Sequence, residues 1–166
     1  MTIADKILLG EKVGRHLLAK GWKLVTAESC TGGGVAEYVT SIPGCSSWFE
    51  HGLVTYSNIS KQELLDVSIV TLETFGAVSE QTALEMALGA LKHSQATLSL
   101  SVTGIAGPEG GSPEKPVGLV WFAWAATDIH TGQYTCFPAK SQIFQGDRES
   151  IRQQAIAFTL NELLKL

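Results

Sequence analysis

The spacing of hydrophobic positions predicts helices and strands in alternation. The first twenty residues have helical spacing, and Lys20-Gly21 is a typical C-terminal stop. We expect the buried face of this helix to contain Ile3, Ile7, Gly14, Leu17 and Leu18. Residues 23–27 form a β-rich segment that leads into a turn with three glycines, residues 32–34, and residues 35–39 predict a second helix.

The middle of the chain continues this alternation. Residues 53–56 predict a second strand, and Lys61 is expected to open a short helix. Ser79 is a preferred N-cap residue, and the helix after it has apolar positions at helical spacing: Leu84, Ala87, Leu88 and Leu91. Residues 97–102 alternate between polar and apolar, which predicts a strand that ends in a loop rich in Gly and Pro, residues 103–113.

The last third predicts a strand pair and a terminal helix. Residues 117–126 are a continuous apolar run, typical of a strand buried on both faces, and residues 134–137 are expected to pair with it antiparallel. Asp147 is expected to cap a helix that carries Ile151, Ala155 and Phe158. The alternation predicts an α/β fold, a three-layer α/β/α sandwich with a mixed, mostly parallel sheet, in one domain over residues 1–166.

Composition and charge narrow the possible partners. Hydrophobic residues make up 45% of the 166 residues and charged residues 17%, which is typical of a globular protein. A net charge of −4 without runs of Lys or Arg argues against a nucleic-acid partner. The longest apolar run is half of the roughly 20 residues that a membrane helix needs, and the N-terminus lacks a signal-peptide core. We therefore expect a cytoplasmic protein without a membrane partner.

Three cysteines, Cys30, Cys45 and Cys136, are an odd number and widely spaced. This pattern matches neither a disulfide framework nor a zinc site. No carboxylate pairs or His/Cys clusters occur at metal-ligand spacing, so we expect no metal.

Ser29 is a candidate nucleophile because a strand and a glycine-flanked turn would present its hydroxyl at a sheet edge. Backbone N–H groups of the turn would then form an oxyanion hole or bind a phosphate, and they belong to Cys30, Thr31, Gly32 and Gly33. The alternative, that Ser29 only caps the following helix, is favoured by the residue pattern alone, since Ser is a preferred N-cap residue.

A serine nucleophile needs a base, and Lys61 is the candidate, because partial burial lowers a lysine pKa. Tyr56 either relays a proton between Ser29 and Lys61 or packs its ring at the strand end. Cys30 is an alternative nucleophile beside a helix N-terminus. Arg148 is a candidate clamp for a phosphate or carboxylate, with a solvated side chain as the alternative.

Several segments together resemble the C-terminal domain of CinA-type competence/damage-inducible proteins. The matching segments occur in the family's order between about residues 25 and 152, and they are TAESCTGG at 26–33, GLVTYSN at 52–58 with Lys61, GAVS at 76–79, TGIAGP at 103–108 with Gly110 and Gly111, KPVG at 115–118 and GDR at 146–148. Two positions depart from the pattern. Gly34 stands where a larger apolar residue is expected and Ser112 stands where Thr is expected, and we expect Gly34 to loosen the helix start.

The resemblance implies a three-layer α/β/α fold and hydrolysis of the carboxamide of nicotinamide mononucleotide to nicotinate mononucleotide and ammonia, without a cofactor. It implies that Ser29, Tyr56 and Lys61 are the catalytic group. It also implies a nucleotide site whose residues we expect to be Thr103, Gly104, Gly107, Gly110, Gly111 and Arg148. The alternative is a regulatory module of this family that binds the nucleotide without catalysis.

A homodimer is the expected oligomer. Trp121 and Trp124, in the apolar segment 117–126, would line its interface, although packing in the core explains them equally well.

Overall fold

The structure is a computed structural model that describes residues 2–166 as six helices, one 3₁₀ turn and six strands. In chain order these are α1 (Ile3–Lys20), β1 (Leu24–Glu28), α2 (Gly34–Thr40), the 3₁₀ turn (Cys45–Ser47), β2 (Phe49–Val54), α3 (Asn58–Leu65), α4 (Ile69–Phe75), α5 (Glu80–Lys92), β3 (Leu98–Gly104), β4 (Leu119–Thr127), β5 (Tyr134–Cys136), β6 (Lys140–Ile143) and α6 (Arg148–Leu163).

The six strands form a single mixed sheet in the order β2-β1-β3-β4-β5, with β6 also paired to β4. Strands β2, β1 and β3 are parallel neighbours, whereas β4 runs antiparallel to β3, β5 and β6. One strand therefore opposes the other five, which confirms the predicted mixed sheet. The carboxyl ends of β1, β2 and β3 meet at one edge of the sheet, where ligands bind in open α/β sheets.

Helices cover both faces of the sheet and bury two separate cores. Helices α1, α2 and α6 pack on one face with Leu24, Leu98 and Leu100. Helices α3, α4 and α5 pack on the other face with Val25 and Ala27. Neighbouring residues of a strand point to opposite faces, so β1 contributes to both cores. The three-layer α/β/α sandwich is confirmed.

The predicted buried face of α1 is partly wrong. Ile3, Ile7 and Leu18 are exposed, and the buried positions are Leu9, Gly10, Val13, Gly14 and Leu17. The helical period is right but the face is rotated, because the two glycines let the helix approach Ile42 and Trp48 closely.

Strand β3 is buried along its length instead of having one polar face. The hydroxyl groups of Ser99 and Ser101 donate hydrogen bonds to the carbonyl oxygens of Ala87 and Ala83 in α5, at 2.7 and 2.6 Å. Buried polar groups are tolerated when they are hydrogen-bonded in this way.

Several boundaries differ from the prediction. Strand β2 begins at Phe49, four residues before the predicted start, and α3 begins at Asn58, three residues before Lys61. Helix α4 and strand β6 were not predicted, because seven and four residues are too short for a clear hydrophobic period. The other predicted segments, including the antiparallel β5 and the Asp147 cap of α6, are confirmed.

Trp124 is 1% exposed and belongs to the core, so it does not line an interface. Among residues 2–166, no helix combines the length and apolar character needed to cross a membrane.

Helix α3 lies unusually close to α5 at Gly89. A Cβ atom built on Gly89 would lie 1.9 Å from the carbonyl oxygen of Leu65, the last residue of α3. The ends of the two helices are also joined by His93 and Asp66, whose side chains are 2.7 Å apart. The absence of a side chain at Gly89 therefore sets the distance between α5 and the helix that carries Lys61.

Substituting Gly89→Ala is expected to destabilise the protein by about 1–3 kcal/mol, since backbone must move to relieve the overlap. Gly10→Ala in α1 is the matched control, because its Cβ would meet the side chain of Ile42 instead of backbone. Urea unfolding of both variants measures the difference. A Gly89→Ala variant as stable as the wild type would show that the close approach is not a constraint.

Candidate active site

Ser29 is the first residue after β1, at the edge where three parallel strands end. Its N–H donates to the carbonyl oxygen of Val102 in β3 at 2.9 Å, and the N–H of Thr55 donates to the carbonyl oxygen of Glu28 at 2.8 Å. These bonds extend the ladder on both sides of the turn. Ser29 is 8% exposed, so its hydroxyl lies in a largely enclosed position instead of on an open surface.

The structure places Lys61, the predicted base, beside Ser29. Lys61 Nζ lies 3.1 Å from Ser29 Oγ, 2.7 Å from the carbonyl oxygen of Thr55 and 3.2 Å from that of Tyr56. Lys61 is 1% exposed. The position follows from the fold, because the α3 face that carries Lys61 packs on the side of β1 to which Ser29 points.

The surroundings of Lys61 make its neutral form more accessible than that of an exposed lysine. In the part of the chain that the structure describes, no carboxylate forms an ion pair with it. Burial lowers the pKa of Lys61 to about 8, and the neighbouring Cys30 opposes this shift. A neutral amine has two N–H donors and one lone pair. With its two donors on the carbonyl oxygens of Thr55 and Tyr56, a neutral amine would direct its lone pair toward the hydroxyl of Ser29.

Tyr56 does not have the position of a proton relay. Its hydroxyl accepts a hydrogen bond from Arg148 Nη2 at 2.9 Å, and the residue is 59% exposed. Its carbonyl oxygen, instead of its phenol, contacts Lys61. Lys61 contacts Ser29 directly, and the ring of Tyr56 lies at the mouth of the site.

Arg148 joins two loops at this mouth. It is the first residue of α6, and its Nη1 donates to the carbonyl oxygen of Gly107 at 2.8 Å while Nη2 contacts Tyr56. The side chain is held in place but remains exposed, so its charge faces solvent beside Tyr56.

Cys30 lies on the opposite side of the sheet from Lys61. Its side chain belongs to the core beneath α1, α2 and α6. Burial raises the pKa of its thiol to about 12, so the thiolate is scarce at neutral pH. The structure therefore disfavours Cys30 as the nucleophile.

The side chain of Glu28 caps the N-terminus of α2 from the interior of the protein. Its fully buried carboxylate accepts hydrogen bonds from the N–H groups of Gly33, Val35 and Ala36 at 2.8–3.1 Å. The Thr31 hydroxyl donates to it at 2.7 Å. A helix N-terminus attracts an anion, and here the anion is supplied by the protein.

This arrangement corrects two predictions. Gly33 N–H is bonded to Glu28 and Gly32 N–H to the carbonyl oxygen of Ser29 at 3.0 Å, so neither serves as an oxyanion donor. Ser29 also does not cap α2, since the residue at the N-cap is Gly33. Among residues 2–166, no protein oxygen accepts from the N–H groups of Cys30 and Thr31, which remain the candidate donors.

The predicted nucleotide loop contains residues with structural roles. The Thr103 hydroxyl is buried and donates to the carbonyl oxygen of Ala77 at 2.7 Å. A Cβ on Gly104 would lie 2.8 Å from the carbonyl oxygen of Leu119, and one on Gly111 would lie 2.8 Å from the Val117 nitrogen. These two glycines permit close backbone packing.

The two remaining glycines of this loop have left-handed backbone conformations. Gly107 has φ +76° and Gly110 φ +89°. Through its carbonyl oxygen, Gly107 is the loop residue that contacts Arg148.

Arg152 was not predicted as part of the site. Its Nη2 donates to the carbonyl oxygen of Thr31 at 3.0 Å, and Nη1 pairs with Glu149 at 3.0 Å. The sequence could have indicated this position, because Arg152 lies four residues after Arg148 and therefore on the same face of α6. Glu28 was also missed, although a carboxylate just before a glycine turn is a plausible partner for helix N–H groups.

Gly34 is one of the two departures from the expected pattern, and the side chain of Ile156 packs closely against it. A Cβ at this position would lie 2.6 Å from Ile156 Cδ1. The start of α2 is thus packed against α6, contrary to the expected loosening. Within residues 2–166, no group of three His, Cys, Asp or Glu side chains is placed to hold a metal ion.

Comparison with known proteins relates this geometry to a family. A family model described as the CinA C-terminal domain matches residues 7–166. Nicotinamide-nucleotide amidohydrolase PncC of Enterobacter agglomerans is 53% identical over 157 residues, covering 95% of this chain and 92% of that protein. The protein of the same name from Escherichia coli K12 is 48% identical over 163 residues, covering 98% and 95%.

A solved structure gives the same result for the fold. The crystal structure of the competence/damage inducible protein CihA from Agrobacterium tumefaciens superposes with a TM-score of 0.87 at 42% identity, covering 98% of this chain and 96% of that one. The family match, the sequence identities and the shared fold agree over nearly the whole chain, and the chain belongs to the CinA C-terminal domain family.

Proposed function

We propose that this protein hydrolyses the carboxamide of nicotinamide mononucleotide, releasing ammonia and nicotinate mononucleotide. The observation that carries the proposal is the buried contact between Lys61 Nζ and Ser29 Oγ, 3.1 Å long. The names of the similar proteins, nicotinamide-nucleotide amidohydrolases, support this substrate class. An amide needs an activated nucleophile and a proton for the leaving ammonia, and a serine with a neutral amine supplies both.

Acylation begins with neutral Lys61. Its lone pair takes the hydroxyl proton while Ser29 Oγ attacks the carboxamide carbon, and the negative charge that develops on the carboxamide oxygen faces the N–H groups of Cys30 and Thr31. Lys61, now an ammonium, donates its proton to the departing nitrogen, and ammonia leaves the acyl-enzyme. Oxyanion donors of this type contribute roughly 3 kcal/mol each to the stability of the transition state.

Deacylation repeats these steps with water. Lys61 removes a proton from water, the resulting hydroxide attacks the ester carbon, and Ser29 Oγ leaves with the proton from Lys61. The products are the free serine and the carboxylic acid, which releases its proton to water as the carboxylate forms. Each cycle returns Lys61 to the neutral state, which its burial favours.

The phosphate of the substrate is held at the mouth of the site in this proposal. The α2 N-terminus is filled by Glu28, so it is not available to a phosphate. Arg148 presents an exposed guanidinium beside Tyr56 and Gly107, and a guanidinium suits phosphate oxygens.

The second candidate function is a regulatory module that binds the nucleotide without catalysis. The exposed Arg148 and Tyr56 would serve binding equally well in such a module. A lysine buried against a serine without a counter-ion favours the enzyme, because burying an ionisable group costs stability that a binding site alone does not require.

Purified protein incubated with nicotinamide mononucleotide is expected to release ammonia. Ser29→Ala and Lys61→Ala should each lower the rate at least about 10³-fold, since they remove the nucleophile and its base. Cys30→Ala is the matched control and should retain activity. Tight nucleotide binding without ammonia release by the wild type would favour the regulatory module, and loss of activity only in Cys30→Ala would assign the nucleophile to the thiol.

The rate should depend on pH through Lys61. The base is active when neutral, and its pKa is lowered to about 8. We therefore expect kcat/KM to rise about tenfold per pH unit below this value and to level off above it. Initial rates between about pH 6 and pH 9.5 measure the profile. Lys61→Arg, whose charge persists at these values, should be inactive, and a flat profile in the wild type would exclude Lys61 as the base.

Arg148→Ala is expected to raise KM for nicotinamide mononucleotide about 10–100-fold, the effect of losing one charge-assisted hydrogen bond. Nicotinamide riboside, which has no phosphate, is the matched substrate and should show a change of less than about threefold. Equal losses with both substrates would place the role of Arg148 in loop structure instead of phosphate binding.

A further inference from the structure

Glu28 is a buried carboxylate with no described cation bonded to it. Its side chain lies on the face of β1 opposite Lys61, among helix N–H groups of α2. It is 0% exposed. A charge in this position is stable only because several donors converge on it.

The bonds of Glu28 enclose the turn that carries the nucleophile. Oε2 accepts from the Thr31 hydroxyl and from the N–H groups of Gly33 and Val35, and Oε1 accepts from the N–H of Ala36. The segment between Glu28 and these donors contains Ser29. Both ends of the turn are thereby tied to one rigid side chain, whose own backbone belongs to the central sheet.

This closure leaves two N–H groups of the turn without a protein oxygen as acceptor. Gly32 and Gly33 use their N–H groups inside the turn, whereas those of Cys30 and Thr31 do not bond to an oxygen of residues 2–166. From the outside, Arg152 holds the carbonyl oxygen of Thr31 at 3.0 Å, which fixes the peptide plane that follows this residue. Glu28 and Arg152 thus constrain the same short segment from two sides.

We propose that Glu28 is a positioning residue, which sets the orientation of Ser29 and of the Cys30 and Thr31 N–H groups through its bonds to Thr31 and the start of α2. The proposal rests on the proposed amidohydrolase function. Glu28 is fully buried and its hydrogen bonds are with Thr26, Thr31 and the start of α2, so it acts through the turn. Positioning of this kind affects the transition state more than substrate binding.

Glu28→Gln tests the proposal with almost no change of shape. Both carboxylate oxygens accept bonds from backbone donors, so an amide NH2 group in either position faces a donor instead of an acceptor. We expect kcat to fall about 10²-fold, comparable to the loss of one oxyanion donor, with KM changed less than about threefold. The pH at which the rate levels off should remain that of Lys61.

Glu85→Gln is the matched control. Glu85 accepts from the Ser68 N–H at 2.8 Å and from the Thr71 hydroxyl, so it also caps a helix N-terminus, but that helix is α4, which carries none of the proposed catalytic residues. The control should lose stability while keeping kcat. A kcat for Glu28→Gln that equals the wild type, per folded molecule, would overturn the proposal. So would a shifted pH profile, which would indicate a direct role in proton transfer.

Thr31 provides a second test through the same carboxylate. Thr31→Val removes the hydroxyl that bonds to Glu28 and should lower kcat in the same direction as Glu28→Gln, whereas Thr31→Ser retains a hydroxyl and should lower kcat less. Equal rates for the two Thr31 variants would contradict the proposal.

Amide hydrogen exchange separates failure of this proposal from failure of the proposed function. In the wild type the N–H groups of Gly33, Val35 and Ala36 should exchange slowly, and in Glu28→Gln they should exchange at least about tenfold faster, since an opened bond exposes them. In Glu85→Gln, the N–H groups of Gly33, Val35 and Ala36 should exchange at the wild-type rate. If the wild type releases no ammonia, the proposed function fails, while unchanged exchange in Glu28→Gln rejects the positioning role independently.

Discussion

The burial of one lysine against a serine, without a counter-ion, is the interaction on which the rest of the site depends. Lys61 Nζ is surrounded by the hydroxyl of Ser29 and two carbonyl oxygens, all of them neutral. Desolvation lowers its pKa because a charged amine in this position loses its hydration and gains no carboxylate. Burying the amine is unfavourable for folding, and the packing of the two helical layers on the sheet offsets this free energy. The same packing fixes Lys61 and Ser29 independently of each other.

The two faces of β1 separate the charges of the site. Ser29 lies on the side of α3, where it meets Lys61, while Glu28, one residue earlier, points to α2. Because the carboxylate is satisfied by N–H groups on its own side, it does not form an ion pair with Lys61. An ion pair would favour the ammonium and raise the pKa of Lys61, which would remove the base of the proposed mechanism. The alternation of side chains along a strand thus keeps an acidic group and a basic group apart at adjacent positions.

The loops at this edge form a second, exposed layer around the buried pair. Arg148 connects Tyr56 with Gly107, and Arg152 contacts the turn after Ser29, so one face of α6 organises three segments that are distant in sequence. The close approach of α3 and α5 at Gly89 adds a constraint from the other side. In the proposed mechanism, chemistry therefore belongs to the buried pair of Lys61 and Ser29, and recognition belongs to the exposed Arg148.

Hydrophobic periodicity by itself determined the alternating helices and strands, the antiparallel β5, and the strand, turn and helix around Ser29, since these features depend on local spacing. It could not determine the buried face of α1, the short α4 and β6, or the burial of Ser99 and Ser101, because these depend on what packs against each segment. Sequence motifs placed Ser29, Lys61 and Arg148 in the site. Only the tertiary structure decided that Lys61 meets Ser29 directly, that Tyr56 faces Arg148, and that Glu28 takes the N–H of Gly33, because these contacts join residues through the folded chain and through the side of the strand on which each one lies.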